Sequence, residues 1–437
     1  MRHSKQKPQN QRPDGDVVVQ IEKPIYGGAF LARLEGKAVF VPLTLPGEEA
    51  RVRITNDRRG YATAEAEAIV NAASERVIPG CRHFGACGGC HYQHADYQTQ
   101  LTLKQAILLE AMQRGHVEVP RAIDVHAGEP WGYRNRIRLA FDAAGNPGYR
   151  GRRSHTVVPI SECPIAAPLL VKAALAFADI ARDFAMPLQH TEISLFCNSD
   201  ETELLTSLST SSQPDFAFDE FCGVFRERIS ALNGAEISVE DRDSHESEAK
   251  ARWGAPSLGY RTGGFNYRVD HGAFFQVNRW LVDALMDQVT AGYRGALAWD
   301  LFAGVGLFAR RLATNFERVV AVESAPMALA ALKQNLSGTN GEAVQAETLA
   351  FLRGQNRARR PDLIVVDPPR TGLGAEIISQ LADIRSPGLV YVSCDPATLA
   401  RDLRALIDSG YAIESMTLID LFPQTFHLET VVHLKRA

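Results

Sequence analysis

The sequence predicts a multi-domain α/β protein: a small antiparallel β-barrel, a mixed central domain with a cysteine-rich loop, and a doubly wound parallel sheet. Three observations carry this. Beyond Phe274, the apolar runs ALAWDLF, RVVAVES, PDLIVVDPP, GLVYVSC and ETVVHL alternate with helical stretches such as ATLARDLRALIDSG, the order that a sheet with crossover helices requires. Before residue 72, short runs rich in Val, Ile and Phe are broken at Gly27-Gly28, Glu35-Gly36 and Pro46-Gly47, the mark of hairpins. Between them, Cys81, Cys87 and Cys90 fall within ten residues.

At roughly 150 residues per domain, 437 residues make about three domains. The elements follow in order. Residues 1–15 are polar and predict a disordered tail, and 16–72 form the barrel. Residues 73–270 form the central domain, with an amphipathic helix over 93–115 expected to pack on the catalytic domain. Strand-like RNRIRLAFD and TEISLFCN lie within it, and VEDRDSHESEAKARWGAPSLG predicts a long acidic edge loop. Residues 271–437 form the α/β domain, whose ligands belong at the carboxyl ends of its strands.

With 45% hydrophobic and 22% charged residues the chain is of globular composition. No run approaches about 18 apolar residues and the start has no apolar core, so no membrane partner and a cytoplasmic location are expected. Forty-seven Lys and Arg against 51 Asp and Glu give a net charge of −4, which excludes a uniformly basic nucleic-acid binder but not a locally basic face. Arg134, Arg136 and Arg138 alternate along one strand, Arg150, Arg152 and Arg153 follow, and Trp131, Tyr133 and Tyr149 are available to stack on bases. Seven cysteines in a reducing compartment point to metal or catalytic roles before disulfides.

The catalytic motifs share one edge. Asp300-Leu-Phe-Ala-Gly-Val-Gly follows the first strand, where Gly304 and Gly306 let the backbone approach a ligand and the helix start favours polar groups. Glu323 ends the next strand, 23 residues on, where a carboxylate can accept both ribose hydroxyls. The absence of a third glycine suits S-adenosylmethionine, which has no pyrophosphate. Asp367-Pro-Pro-Arg370 ends a third strand, its prolines holding an extended bend that aims the Asp into the cleft. Cys394 ends a fourth, before Asp395-Pro396, and a thiol at a helix start is expected to have a lowered pKa. A thiolate beside a methyl donor suits covalent attack at C6 of a pyrimidine, and Glu429, with His427 nearby, offers the base that removes the C5 proton.

Cys81, Cys87, Cys90 and Cys163 make a four-thiolate set that fits zinc or an iron–sulfur cluster, and the Cys163-Pro164 ending is a feature of ferredoxin-type loops. Cys197 and Cys222 are expected to be ordinary buried thiols.

These motifs, with Phe422-Pro423-Gln424-Thr425, resemble the RNA 5-methyluridine methyltransferases, the bacterial 23S rRNA and tRNA uracil-C5 enzymes with an N-terminal TRAM barrel. The resemblance implies a Rossmann-like methyltransferase domain, Cys394 as nucleophile and Glu429 as general base. It also implies an S-adenosylmethionine site lined by Gln276, Phe302, Gly304, Glu323 and Asp367, and a [4Fe-4S] cluster on Cys81, Cys87, Cys90 and Cys163, with zinc the alternative. The partner is then RNA, 23S rRNA before tRNA, and the protein a monomer. Leu307 departs from the family, in which many members have Asn. Arg370 follows the Asp-Pro-Pro element, where amino-group methyltransferases have an aromatic residue, and it departs from the Asp-Ala-Pro-Cys arrangement of RNA cytosine-C5 enzymes; both point to uracil. The competing readings are an RNA cytosine-C5 or amino methyltransferase and a non-catalytic iron–sulfur RNA-binding assembly factor.

Overall fold

The computed structural model describes residues 17–119, 122–211, 216–240, 247–355 and 359–436; the expected tail, 1–15, lies outside them. The chain divides into two compact units, Met1–Ile78 with His94–Asp96 and the remainder.

In the first unit the strands Val17–Pro24, Ala29–Leu34, Lys37–Pro42, Tyr61–Asn71 and Glu49–Asp57 close into a barrel in that order. Alternation puts Val19, Ile21, Val39, Val41 and Val52 inside. The unit continues past the expected boundary at 72 because Arg76 holds the buried Glu48 through Nε at 2.5 Å and Nη2 at 2.8 Å. Burial pushes the Glu48 carboxyl up, but Arg76 and the Leu45 and Ala73 N–H groups outweigh it and hold the pKa below the ordinary value. His94 returns to the same unit, its Nε2 2.9 Å from the Thr44 carbonyl.

The second unit contains two large sheets. A seven-stranded sheet runs Ser247–Gly254, Leu232–Glu240, Leu204–Thr210, Glu192–Cys197, Arg136–Phe141, Pro147–Arg150, Val157–Pro159. Helices Pro168–Asp183 and Phe218–Arg228 pack on one face, burying Leu139, Phe177, Leu195, Leu208 and Phe221, with Cys197 and Cys222 in the same core. The expected acidic loop is largely strand instead: Leu232–Glu240 pairs with Ser247–Gly254, and Ser257–Thr262 with Phe265–Asp270. Its charged residues suit an exposed edge strand, while 241–246 lie outside the described residues.

The catalytic sheet runs Gly341–Gln345, Phe316–Glu323, Gly295–Leu301, Leu363–Val366, Gly388–Ser393, Thr430–Arg436, Tyr411–Ile419, Asp124–His126. It is not wholly parallel, as the alternation of strands and helices had predicted. Thr430–Arg436 runs antiparallel to both neighbours, because Tyr411–Ile419 returns to it through a loop rather than a crossover helix. Asp124–His126, expected in the central domain, pairs with Thr417–Ile419 at this sheet's edge. The strand order reverses between Gly295–Leu301 and Leu363–Val366, and the crevice of an open α/β sheet forms at such a switch point. Helix Tyr97–Arg114 packs on helix Pro396–Asp408. Among the described residues no helix is long and apolar enough to cross a membrane.

Candidate active site

Four parallel strands deliver their carboxyl ends to one edge, carrying Asp300, Glu323, Asp367 and Cys394. The fifth member arrives by the opposite route. Ser393 pairs with Thr430 across an antiparallel ladder, so the residue after one, Cys394, lies beside the residue before the other, Glu429.

The first turn is built tightly. Phe302 and Gly304 are left-handed, at φ 67° and 54°, an arrangement that costs a non-glycine residue about 1 kcal/mol or more. A Cβ on Gly304 would meet nothing within 4 Å, whereas one on Gly306 would stand 2.7 Å from Leu332 Cδ1. Gly304 therefore leaves open space for a ligand and Gly306 serves packing. The helix that follows, Leu307–Leu312, is short, and Asp300 Oδ2 already accepts the Ala309 N–H at 2.8 Å. Among the described residues Asp300 Oδ1 is buried without a partner. Leu307 is buried in the core, with its carbonyl accepting the Tyr267 hydroxyl at 3.0 Å.

Glu323 accepts the Gly304 N–H on Oε2 and the Ala325 N–H on Oε1, each at 2.7 Å. Each oxygen retains a second lone pair for a hydroxyl. Gln276 is 6% exposed on the loop after Phe265–Asp270; its carbonyl accepts from Asn135 at 2.9 Å. Among the described residues no hydrogen bond joins it to the acids.

Electrostatically the row is one unit. Burial pushes Asp300 up to about 8, with Asp367 and Glu323 adding to the shift. It pushes Asp367 up to about 7, and with Asp367 it drives Glu429 well above the carboxylate range, opposed by Arg370. The expected low thiol pKa at Cys394 is reversed: burial, then Glu429 and Asp367, push it up to about 11 against Arg370. The helix start does not help, because the Asp395 side chain itself caps it by accepting the Ala397 and Thr398 N–H groups. Sequence reasoning used Arg370 only to discriminate between families; it is a cation facing the Cys394 thiol and the Glu429 carboxyl. An edge crowded with acids, with an orphaned carboxylate oxygen and an open glycine face, fits a cationic ligand such as S-adenosylmethionine.

The predicted RNA patch is partly structural. Tyr133 is fully buried and donates to the Pro423 carbonyl at 3.0 Å, so it cannot stack on a base. Arg136 lies 4.2 Å over the Phe196 ring and donates to the Ala273 carbonyl at 2.8 Å. Arg138 and Arg150 share Glu192, at 2.6 and 2.9 Å. The exposed aromatics beside Gln276 are Phe274, 62% exposed, and Trp280, 45% exposed, which motif spacing did not single out.

Cys81, Cys87, Cys90 and Cys163 line one cavity of about 260 Å³ together with Arg134, Tyr149 and His427. The Gly89 N–H points at Cys87 Sγ at 3.4 Å, and Tyr149 Oη lies 3.7 Å from Cys163 Sγ. A zinc ion needs its sulfurs about 2.3 Å from one point, and among the described residues no three His, Cys, Asp or Glu are set to hold a metal ion. Among the described residues neither zinc nor a larger cluster has a closed ligand set; what the four cysteines share is one cavity.

Comparison with known proteins follows the same lines. The family described as tRNA (Uracil-5-)-methyltransferase matches residues 257–437 and the TRAM domain matches 16–66. An uncharacterized RNA methyltransferase of Streptomyces avermitilis is 33% identical, covering 96% of this chain and 98% of its own. The 23S rRNA (uracil(1939)-C(5))-methyltransferase RlmD of Pseudomonas fluorescens is 32% identical, covering 94% and 92%. The crystal structure of Pyrococcus abyssi tRNA (uracil-54, C5)-methyltransferase with S-adenosyl-L-homocysteine superposes with a TM-score of 0.77 at 23% identity, over 95% of this chain and 99% of that one. The chain belongs to the TRAM-bearing RNA (uracil-5-)-methyltransferase family and is an S-adenosylmethionine-dependent RNA methyltransferase.

Proposed function

We propose that this protein methylates C5 of one uridine in structured RNA, 23S rRNA before tRNA, through a covalent Cys394–C6 adduct. The observation that carries the reading is the Ser393–Thr430 pairing, which sets Cys394 beside Glu429. Glu429 pushes the Cys394 thiol up and Arg370 opposes the rise at both groups, which supports a nucleophile and a base side by side with Arg370 as their cation.

The Cys394 thiolate adds to C6, and the C5=C6 electron pair moves onto the ring as an enolate. C5 then takes the methyl group, the new C–C bond forming as the methyl–sulfur bond breaks and its electron pair stays on the departing thioether. S-adenosylmethionine, when bound, supplies that electrophilic methyl and a positive charge among the acids, with Gln276, Phe302, Gly304, Glu323 and Asp367 as its lining. Glu429 removes the C5 proton, the double bond re-forms, and the Cys394 thiolate leaves. A uridine stacked in a duplex does not expose C6, so the base is flipped or drawn from a single-stranded loop. Phe274 and Trp280 supply exposed stacking surfaces.

Cys81, Cys87, Cys90 and Cys163 would hold a [4Fe-4S] cluster, the reading supported by their shared cavity and the Cys163-Pro164 ending. When bound, it supplies a rigid tie between the 81–90 loop and Cys163, and the methyl transfer requires no electron from it. The RNA identity is tested with methyl-labelled donor on unmodified 23S rRNA and tRNA transcripts, followed by nucleoside mass spectrometry. Label in 5-methyluridine from 23S rRNA is the expected result; label in tRNA moves the substrate, and label in 5-methylcytidine overturns the uracil assignment.

A further inference from the structure

The segment Asp420–Gln424, which leads into Glu429, is held from outside at every residue. Asp420 accepts from Tyr97 Oη at 2.9 Å and Lys104 Nζ at 2.5 Å. The Leu421 carbonyl accepts from Asn278, the Phe422 carbonyl from Lys104 and the Pro423 carbonyl from Tyr133, at 3.1, 2.9 and 3.0 Å. Gln424 is left-handed, at φ 67°, and 3% exposed. Its carbonyl accepts two N–H groups from the cysteine loop's end, His91 at 2.8 Å and Tyr92 at 3.0 Å. Its backbone N–H donates to Gln100 Oε1 at 2.8 Å, and Gln100 Nε2 donates to Gln424 Oε1 at 2.9 Å. A backbone N–H can only donate, so the orientation of both amides is determined. Tyr97, Gln100 and Lys104 stand at i, i+3 and i+7, one face of helix Tyr97–Arg114.

We infer that Gln100 is a positioning residue for the methyl transfer: its paired amide bonds hold Gln424 in its left-handed turn and so set Glu429 against Cys394. No group of Gln100 touches the reacting atoms. The bonds compel a strained residue at the point where the chain turns back into the Thr430–Arg436 strand, five residues before the base. A helix that only needed to pack would place an apolar side chain there, because two buried amides must satisfy each other or lose stability.

The inference rests on the reading of Glu429 as the base, and the experiment separates the two. Full-length Gln100→Met, Gln424→Ala and Glu429→Gln are purified with the parent and given tritiated-methyl donor and whichever transcript, 23S rRNA or tRNA, the parent methylates. With Gln100→Met, turnover falls about 10- to 100-fold, the scale of a roughly 1 Å misplacement. Donor affinity stays within about twofold, and a methyl-labelled protein–RNA adduct accumulates on denaturing gels because elimination stalls. Gln424→Ala deletes the side-chain half of the amide pair and leaves a non-glycine residue in the left-handed turn, so it keeps the parental melting temperature within a few degrees yet shows the same adduct. If Gln100→Met does not fold, Gln424→Ala alone decides. Parental turnover, or a loss matched by the unfolded fraction without adduct, overturns the inference. If Glu429→Gln accumulates adduct while the Gln variants do not, only the positioning role fails. If Glu429→Gln accumulates none, the base reading itself fails.

Discussion

Cys394 and the Cys81–Cys163 set are both partly buried thiols, and burial raises the pKa in each; they differ in what faces the sulfur. Cys394 looks onto Glu429 and Asp367 with Arg370 opposing them. Cys81, Cys87 and Cys90 each face Cys163, with Arg134 beside Cys90 and Cys163. A thiol among acids that one cation only partly offsets keeps its proton until further positive charge arrives, which suits a nucleophile that should react only in a loaded site. Thiols facing each other cannot all ionise unless a multiply charged group sits between them, the logic of a metal cluster.

The largest expected effect comes from Cys394→Ala. Methyl incorporation and trapping of 5-fluorouridine RNA fall to background while iron content and melting temperature stay parental; persistent 5-methyluridine would sink the covalent mechanism. Cys90→Ser should do the reverse: the anaerobic protein loses its brown colour, its iron and several degrees of melting temperature, yet the folded fraction still traps 5-fluorouridine RNA. A colourless, zinc-loaded parent protein would refute the cluster.

A smaller effect concerns stability. Asp367 titrates near 7 in the fold against about 3.8 when unfolded, so the native state binds the extra proton. Its contribution is full below about pH 4 and is lost as pH rises through about 7. Asp367→Asn should therefore raise the apo melting temperature by a few degrees at pH 8 and by little at pH 4, while weakening donor binding. A melting curve shifted equally at both pH values would contradict the shift. The smallest effect is expected from Arg370→Gln. Removing the exposed cation lets Cys394 and Glu429 rise further, so the alkaline shift of the kcat/KM profile should be below about one pH unit; a shift to lower pH would remove Arg370 from the site.

The strand-end motifs were legible because each is local: a few consecutive residues decide the turn after Asp300, the Pro368-Pro369 bend and the Cys394 position. Glu429 was legible as a motif member, but its contact with Cys394 depends on the reversed strand, and strand direction is set by pairing partners far apart in the chain. Gln100 and Lys104 are polar residues of the amphipathic helix that its pattern does not single out, and Lys104 is fully buried against Asp420. Polar residues on a buried face carry no periodic signal, since their partners lie over 300 residues away. Tyr133 and Arg136 misled for the same reason: residue type at a strand position does not say which face is covered.

By itself the sequence determined the barrel, the α/β alternation, the chemical identities along the site edge and the grouping of four cysteines, because these follow from local periodicity and turn chemistry. Tertiary structure alone decided that the last strand runs backwards, that Cys394 is pushed up rather than down, and that a polar helix face grips the loop before Glu429. Each of these is a consequence of burial and of charges brought together across long stretches of chain, and neither spacing nor composition encodes it.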